Sequence, residues 1–107
     1  LPFLQQRALG VFQPDLAAMG GLSECLRCGH LAEAFGVEVS PHFLPGLFVH
    51  LAAALPGLRW LEDFPLLEPL FEGWPHIDSD GMMRPRDVPG HGLRLADGVR
   101  EMYRIAV

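Results

Sequence analysis

Three residues, Asp15, His42 and Glu62, have the types and the placement that acid/base chemistry uses. An unperturbed imidazole titrates near pH ~6.5, so His42 can hold or release a proton at working pH. Asp15 and Glu62 add two carboxylates. Each residue stands at or just past the end of a short apolar run: Val11-Phe12-Gln13-Pro14, Val37-Glu38-Val39-Ser40-Pro41 and Leu58-Arg59-Trp60-Leu61. Taken singly, Asp15 reads as a turn residue, His42 as a polar loop residue and Glu62 as surface charge. Their common position at three successive strand ends sets them apart.

A second motif competes. Cys25-Leu26-Arg27-Cys28 is a C-x-x-C, and His30 follows it. A small C-x-x-C metal-binding module would need two more ligands, from His30, His42, His50, His76 or His91. On a helix of 3.6 residues per turn, His30 lies about 160° round from Cys28 and cannot share its ion. Cys25 falls on an apolar stripe, where a free Cys behaves as a small buried hydrophobe. Packing therefore outweighs metal binding. His50 reads as a packing residue on a helix, Trp60 as core or mouth packing, and Trp74 and His76 as parts of a tail loop. Arg84 and Arg86 read as surface residues or as contacts to another domain.

The elements that must position the trio follow from periodicity and breakers. Pro2 to Leu9 predicts a helix ended by Gly10. Gly20-Gly21 breaks the chain, and Ser23 is a candidate cap for a helix to about Phe35, stopped by Gly36. Leu22, Cys25, Leu26, Gly29 and Ala32 share its apolar stripe. Leu47 to Leu55 predicts a second helix, closed by Pro56-Gly57. Strands alternating with helices at this spacing indicate parallel βαβ units with right-handed crossovers. After Phe64 the pattern changes: prolines at 65, 69, 75, 85 and 89 interrupt it, and a final helix over 97–104 takes Asp97 as its cap.

Composition narrows the class. The chain has 107 residues, 50% of them hydrophobic, with 13 acidic against 8 basic residues and a formal net charge of −5. All the basic residues are Arg, and no Lys is present. The balance excludes the basic stripe that nucleic acid requires. No apolar run has membrane-spanning length, and with two Cys and no signal peptide the expectation is a cytoplasmic protein. Three parallel strands cannot close a barrel, and a complete (β/α)₈ barrel needs roughly 250 residues. The expected fold class is therefore α/β over 1–64, either a very small open sheet or the last part of a barrel, followed by a tail over 65–107 that is not another βαβ unit.

Particular stretches carry a family resemblance. Gln13-Pro14-Asp15, Gly20-Gly21-Leu22-Ser23-Glu24 and Leu31-Ala32-Glu33-Ala34-Phe35-Gly36 resemble the sixth strand and following helix of mandelate racemase-type enzymes of the enolase superfamily. Ser40-Pro41-His42-Phe43 is similar to their seventh strand end, and Trp60-Leu61-Glu62 to their eighth. Asp80-Gly81, Pro85 and Pro89-Gly90-His91-Gly92 resemble the segment that returns to their capping domain. The resemblance implies that 1–64 are the last strands and helices of a (β/α)₇β, TIM-like barrel and 65–107 a C-terminal tail that joins the capping domain. The resemblance implies that His42 is the general acid/base, Asp15 its hydrogen-bonded partner and Glu62 an electrophilic donor to a substrate carboxylate. It implies Mg²⁺, held by carboxylates on strands preceding Leu1, and a Lys base also upstream. These enzymes, with a Lys or His base and one or two Mg²⁺ ions, are themselves a standard illustration of pKa tuning.

Within the group, Pro41-His42-Phe43, His50-Leu51, Trp60-Leu61-Glu62 and Pro69-Leu70-Phe71 look most like acid-sugar dehydratases of the talarate/galactarate type. The implied reaction is proton abstraction α to a carboxylate through an enediolate. A racemase or epimerase of a 2-hydroxy acid would use the same His, and a non-catalytic remnant would keep only the packing. The implied partners are a small carboxylate substrate and copies of the complete chain in a homo-oligomer, with neither nucleic acid nor membrane.

Overall fold

In the computed structural model, which describes residues 1–105, the chain break at Gly20 and Gly21 rests on positive φ angles of 87° and 102°. Helix α2 (Leu22–Ala34) follows, with Gly21 as its N-cap. Ser23 is therefore inside the first turn and does not cap it; the glycine conformation has already set the direction of entry. The far end matches its prediction. Gly36 adopts φ 69° and donates to the Glu33 carbonyl at 2.8 Å, while the Val37 N–H reaches the Ala32 carbonyl at 3.0 Å. This is the paired-bond termination that a left-handed residue just past a helix provides. Helix α1 (Pro2–Gln5) is shorter than expected. Arg7, at φ 52°, turns the chain before Gly10 is reached.

Strands β1 (Val11–Phe12) and β2 (Glu38–Val39) pair in parallel, Val11 opposite Glu38 and Phe12 opposite Val39. Isolated parallel bridges extend the arrangement, Asp15 to His42 and Val39 to Leu58. The predicted βαβαβ order is thus present, with the third strand reduced to Leu58. Val39 accepts from the Arg59 N–H at 3.1 Å and donates to the Gly57 carbonyl at 2.9 Å. Residues 60–64, which follow Arg59, join no ladder.

Helix α3 (Pro45–Ala52) begins two residues earlier than predicted, because Pro45 suits the first helical position, where no N–H is needed. It packs on α2 through Leu16, Cys25, Phe48, Leu51 and Leu55. Gly29 makes that approach close: a Cβ there would stand 2.6 Å from a Leu55 methyl. A second cluster, Leu4, Ala32 and Val39, fills the space between α1, α2 and the sheet.

The tail is antiparallel. A 3₁₀ helix (Pro65–Leu70) leads into β3 (Phe71–Glu72), which pairs with β4 (Arg94–Leu95). Arg94 bonds Glu72 at 2.5 Å and Asp97 at 3.3 Å, and the Glu72 hydrogen bond foremost raises the guanidinium pKa. Helix α4 is only Val99–Met102, with Gly98 as N-cap at φ 81°. Asp97 is therefore an Arg94 partner and not the predicted cap. Positions 106 and 107 of the tail lie outside the described residues.

Trp74, 6% exposed, fixes the tail to α3. Gly46 leaves the room for it, since a Cβ there would meet the Trp74 ring at 3.2 Å and Leu93 at 3.1 Å. His50 Nε2 and the His91 carbonyl, 3.1 Å apart, add a polar link along the same seam. The radius of gyration is 15.6 Å, against about 13 Å for a compact domain of this length. Large apolar side chains remain in solvent, Phe3 at 65% and Trp60 at 70% exposure. No helix among the described residues is long and apolar enough to cross a membrane.

Candidate active site

Two strand ends are built alike. Pro14 and Pro41 are both buried, and each is followed by a more exposed polar residue, Asp15 and His42. A proline at the last pairing position offers no N–H to extend the ladder, so the next residue leaves the sheet. The His42 N–H donates to the Pro14 carbonyl at 2.9 Å, which ties the two ends together. Asp15 and His42 thus sit side by side in register, and Glu62 reaches them from the chain beyond Leu58. The structure brings together all three residues singled out from the sequence.

The side-chain pairing differs from the expected one. His42 Nδ1 lies 2.8 Å from Glu62 Oε2. The same oxygen accepts the Phe43 N–H at 2.6 Å. Asp15 Oδ1 instead accepts the N–H groups of Ala17 at 2.7 Å and Ala18 at 3.2 Å. Its carboxylate closes its own turn, and its link to His42 runs through the backbone. Side-chain exposure is 48% for His42 and 32% for Glu62, so the pair is open to a small molecule.

Local strain accompanies the pair. Phe43 and Leu44 hold φ angles of 59° and 49°, a left-handed conformation that costs a non-glycine residue roughly 1–2 kcal/mol. Such backbone strain is concentrated at functional sites. Here it swings the chain from the strand end straight into α3 and places the Phe43 N–H on Glu62. Phe64 completes the surround. Its ring meets Phe43 edge-on at 4.9 Å between centroids and His42 at 6.4 Å. Sequence reasoning passed over both phenylalanines as site residues. The available signal was an aromatic immediately after His42 and another two residues after Glu62.

The competing motif belongs to the core. Cys25 is 1% exposed, and burial, followed by Cys28, Asp15 and Glu24, pushes its thiol pKa up. Both cysteines are free. His30 faces away and approaches Glu33 at 3.5 Å. Among the described residues no group of three or more His, Cys, Asp or Glu could hold a metal ion. Mg²⁺ therefore finds no donor set among the described residues. Arg84 pairs with Asp78, and Arg86 donates to the Gly92 carbonyl at 3.3 Å; both brace the tail.

Comparison with known proteins places the chain in a family. Residues 1–99 match the enolase C-terminal domain-like family. The chain is 39% identical over 93 residues to L-talarate/galactarate dehydratase of Salmonella typhimurium, covering 87% of this chain and 23% of that protein. It is 32% identical over 110 residues to arabinonate dehydratase of Saccharolobus solfataricus, covering 94% and 29%. Among solved structures, L-talarate dehydratase from Polaromonas sp. JS666, complexed with Mg and L-glucarate, superposes with a TM-score of 0.85 at 40% identity. The match covers 94% of this chain and 28% of that one. The chain spans about a quarter of the length of the curated relatives it matches, between 23% and 29%.

Proposed function

The chain belongs to the enolase C-terminal domain-like family, and from that premise we propose that it is the C-terminal part of a Mg²⁺-dependent acid-sugar dehydratase. Residues 1–64 supply the last strands and helices of the barrel, and the tail from 65 onward packs toward a capping domain. The open sheet edge and the exposed Phe3 and Trp60 support this, because a continuing barrel would cover them.

His42 is the acid/base group, with Asp15 and Glu62 as the carboxylates around it. The substrate loses the proton α to its carboxylate to a base outside these residues, giving an enediolate. The C–O bond to the β-hydroxyl then breaks while His42 delivers a proton to the departing oxygen, so that water leaves and an enol remains to tautomerise to the 2-keto acid. Mg²⁺ belongs to the proposal only as a cofactor of the complete enzyme, held by residues outside this chain. The observation that carries the reading is the fixed His42–Glu62 pair at 2.8 Å, at the strand ends of a chain 39% identical to a talarate/galactarate dehydratase.

The test is turnover of galactarate or talarate by the complete protein with Mg²⁺, read as 2-keto acid formed, alongside a His42→Asn variant. General acid catalysis contributes about 10²–10⁴-fold, and His42→Asn should lose that much. No turnover of any acid sugar by the complete, Mg²⁺-loaded protein would refute the proposal. Turnover by the 107-residue chain alone would refute the assignment of a shared site.

A further inference from the structure

We infer that Trp74 is a positioning residue for His42, acting through the strained turn that joins the strand end to α3. The inference rests on the proposed acid/base role of His42, but the contacts that carry it belong to the tail and to α3. Phe43 and Leu44 hold φ angles of 59° and 49°, two left-handed residues in succession. Leu44 also precedes Pro45, a position that favours extended backbone. Such a turn persists only where its surroundings fix it. From the side of the site, Glu62 Oε2 accepts the Phe43 N–H at 2.6 Å, and the Phe64 ring meets Phe43 edge-on at 4.9 Å. From the other side, the Leu44 carbonyl accepts the N–H groups of Leu47 and Phe48, both at 3.0 Å, so the turn is fastened to the first residues of α3.

The tail holds those first residues in turn. A Cβ at Gly46 would stand 3.2 Å from two atoms of the Trp74 ring and 3.1 Å from Leu93, so the tail is seated on the helix two residues after Leu44. Trp74 is buried and stacks on Phe71, with ring centroids 6.0 Å apart and planes at 21°. Leu44 and Leu47 form one wall of a cavity of about 190 Å³, and Phe71, Trp74, His91 and Leu93 form the other. One turn further along α3, His50 Nε2 lies 3.1 Å from the His91 carbonyl. Without the Trp74 ring, Gly46 faces an empty slot and the first turn of α3 is free to relax. Phe43 and Leu44 then leave the left-handed region and carry His42 with them, while the strands and the α2–α3 core stay packed. Catalysis is sensitive to such a shift: a misplacement of about 1 Å, caused far from the chemistry, costs about 10²-fold.

The test compares Trp74→Ala and Trp74→Phe with the unsubstituted complete protein, assayed with Mg²⁺ and galactarate. In Trp74→Ala, kcat should fall by about 10²-fold with KM little changed, because an acid out of line weakens the transition state and not substrate binding. Hydrogen exchange, read by mass spectrometry on the peptide spanning 42–49, should quicken about tenfold or more while exchange in α2 stays as it was. Trp74→Phe refills most of the slot and should restore both readouts. A folded Trp74→Ala protein with kcat and exchange unchanged would overturn the inference. So would either change without the other, or exchange that quickens equally in α2, the mark of a general loss of stability. If Trp74→Ala does not fold, Leu93→Ala opens the same slot from its second side and is read in the same way. If the unsubstituted complete protein turns over no acid sugar, the dehydratase reading falls, and the exchange pattern by itself decides whether Trp74 holds the turn.

Discussion

Replacing Gly46 with Val should detach the tail from α3 while leaving the barrel portion folded. A Cβ at Gly46 would stand 3.1 Å from Leu93 and 3.2 Å from two atoms of the Trp74 ring, tighter than ordinary carbon contact. Alanine at this helical position gains up to ~1 kcal/mol in propensity over glycine, which roughly offsets a displacement of a few tenths of an ångström. Valine adds two methyls to a space that has none, and overpacking of this kind costs typically ~1–3 kcal/mol. That matches the ~1.5–3 kcal/mol that burying a large apolar side chain contributes. The seam should therefore open in Gly46→Val and survive in Gly46→Ala. Tryptophan emission reads this directly, because Trp74 is 6% exposed and Trp60 is 70% exposed. In a Trp60→Phe background, Trp74 should emit in the blue and resist acrylamide. Gly46→Val should shift it to the red and expose it to quencher. Unchanged emission and quenching in Gly46→Val would refute the claim that Gly46 is the slot for Trp74.

Further expectations concern the core and the strand ends. Phe48→Ala removes a side chain with 0% exposure and should cost about 3–5 kcal/mol in urea unfolding, enough to abolish a cooperative transition in a chain of this size. Burial raises the Cys25 thiol pKa, so the folded state holds that proton longer than the unfolded one. Its contribution to stability is then complete below the ordinary thiol value of ~8.5 and falls as pH rises above it, which unfolding midpoints at rising pH would check. By the same burial, thiol reagents should label Cys28 first and Cys25 only on unfolding, and purified protein should carry no stoichiometric zinc by elemental analysis. Asp15→Ala removes the acceptor of two backbone N–H groups and should cost roughly 1–2 kcal/mol, while Asp15→Asn should recover most of it by keeping an oxygen in place.

What the sequence made legible was whatever a single residue type enforces by itself. Gly36 stops α2 because only a left-handed residue lets the Ala32 and Glu33 carbonyls find their donors. The order of parallel strands followed from alternating apolar runs, and the three chemical residues from their place after those runs. What stayed hidden depended on competition between neighbours. Ser23 and Asp97 have the right chemistry for caps, yet Gly21, two residues before the one, and Gly98, one residue after the other, turn the chain and take the position. Trp74 read as part of a loop because its slot, Gly46, lies 28 positions upstream, and only the packed fold brings the two together.

The pairing of His42 has the same origin. Sequence places one imidazole and two carboxylates at neighbouring strand ends, and the family resemblance allots Asp15 to the ring. Which carboxylate takes Nδ1 is decided by what else each can bond. Asp15 precedes two free amides, those of Ala17 and Ala18, within its own turn and is drawn to them. Glu62 has a longer side chain, and the Phe43 amide beside the ring gives its oxygen a second donor. Local hydrogen bonding satisfies the shorter acid first, and the longer one is left to bridge the strands. The shorter acid thereby shapes the strand end it belongs to, while the longer one ties the turn at Phe43 to the chain beyond Leu58.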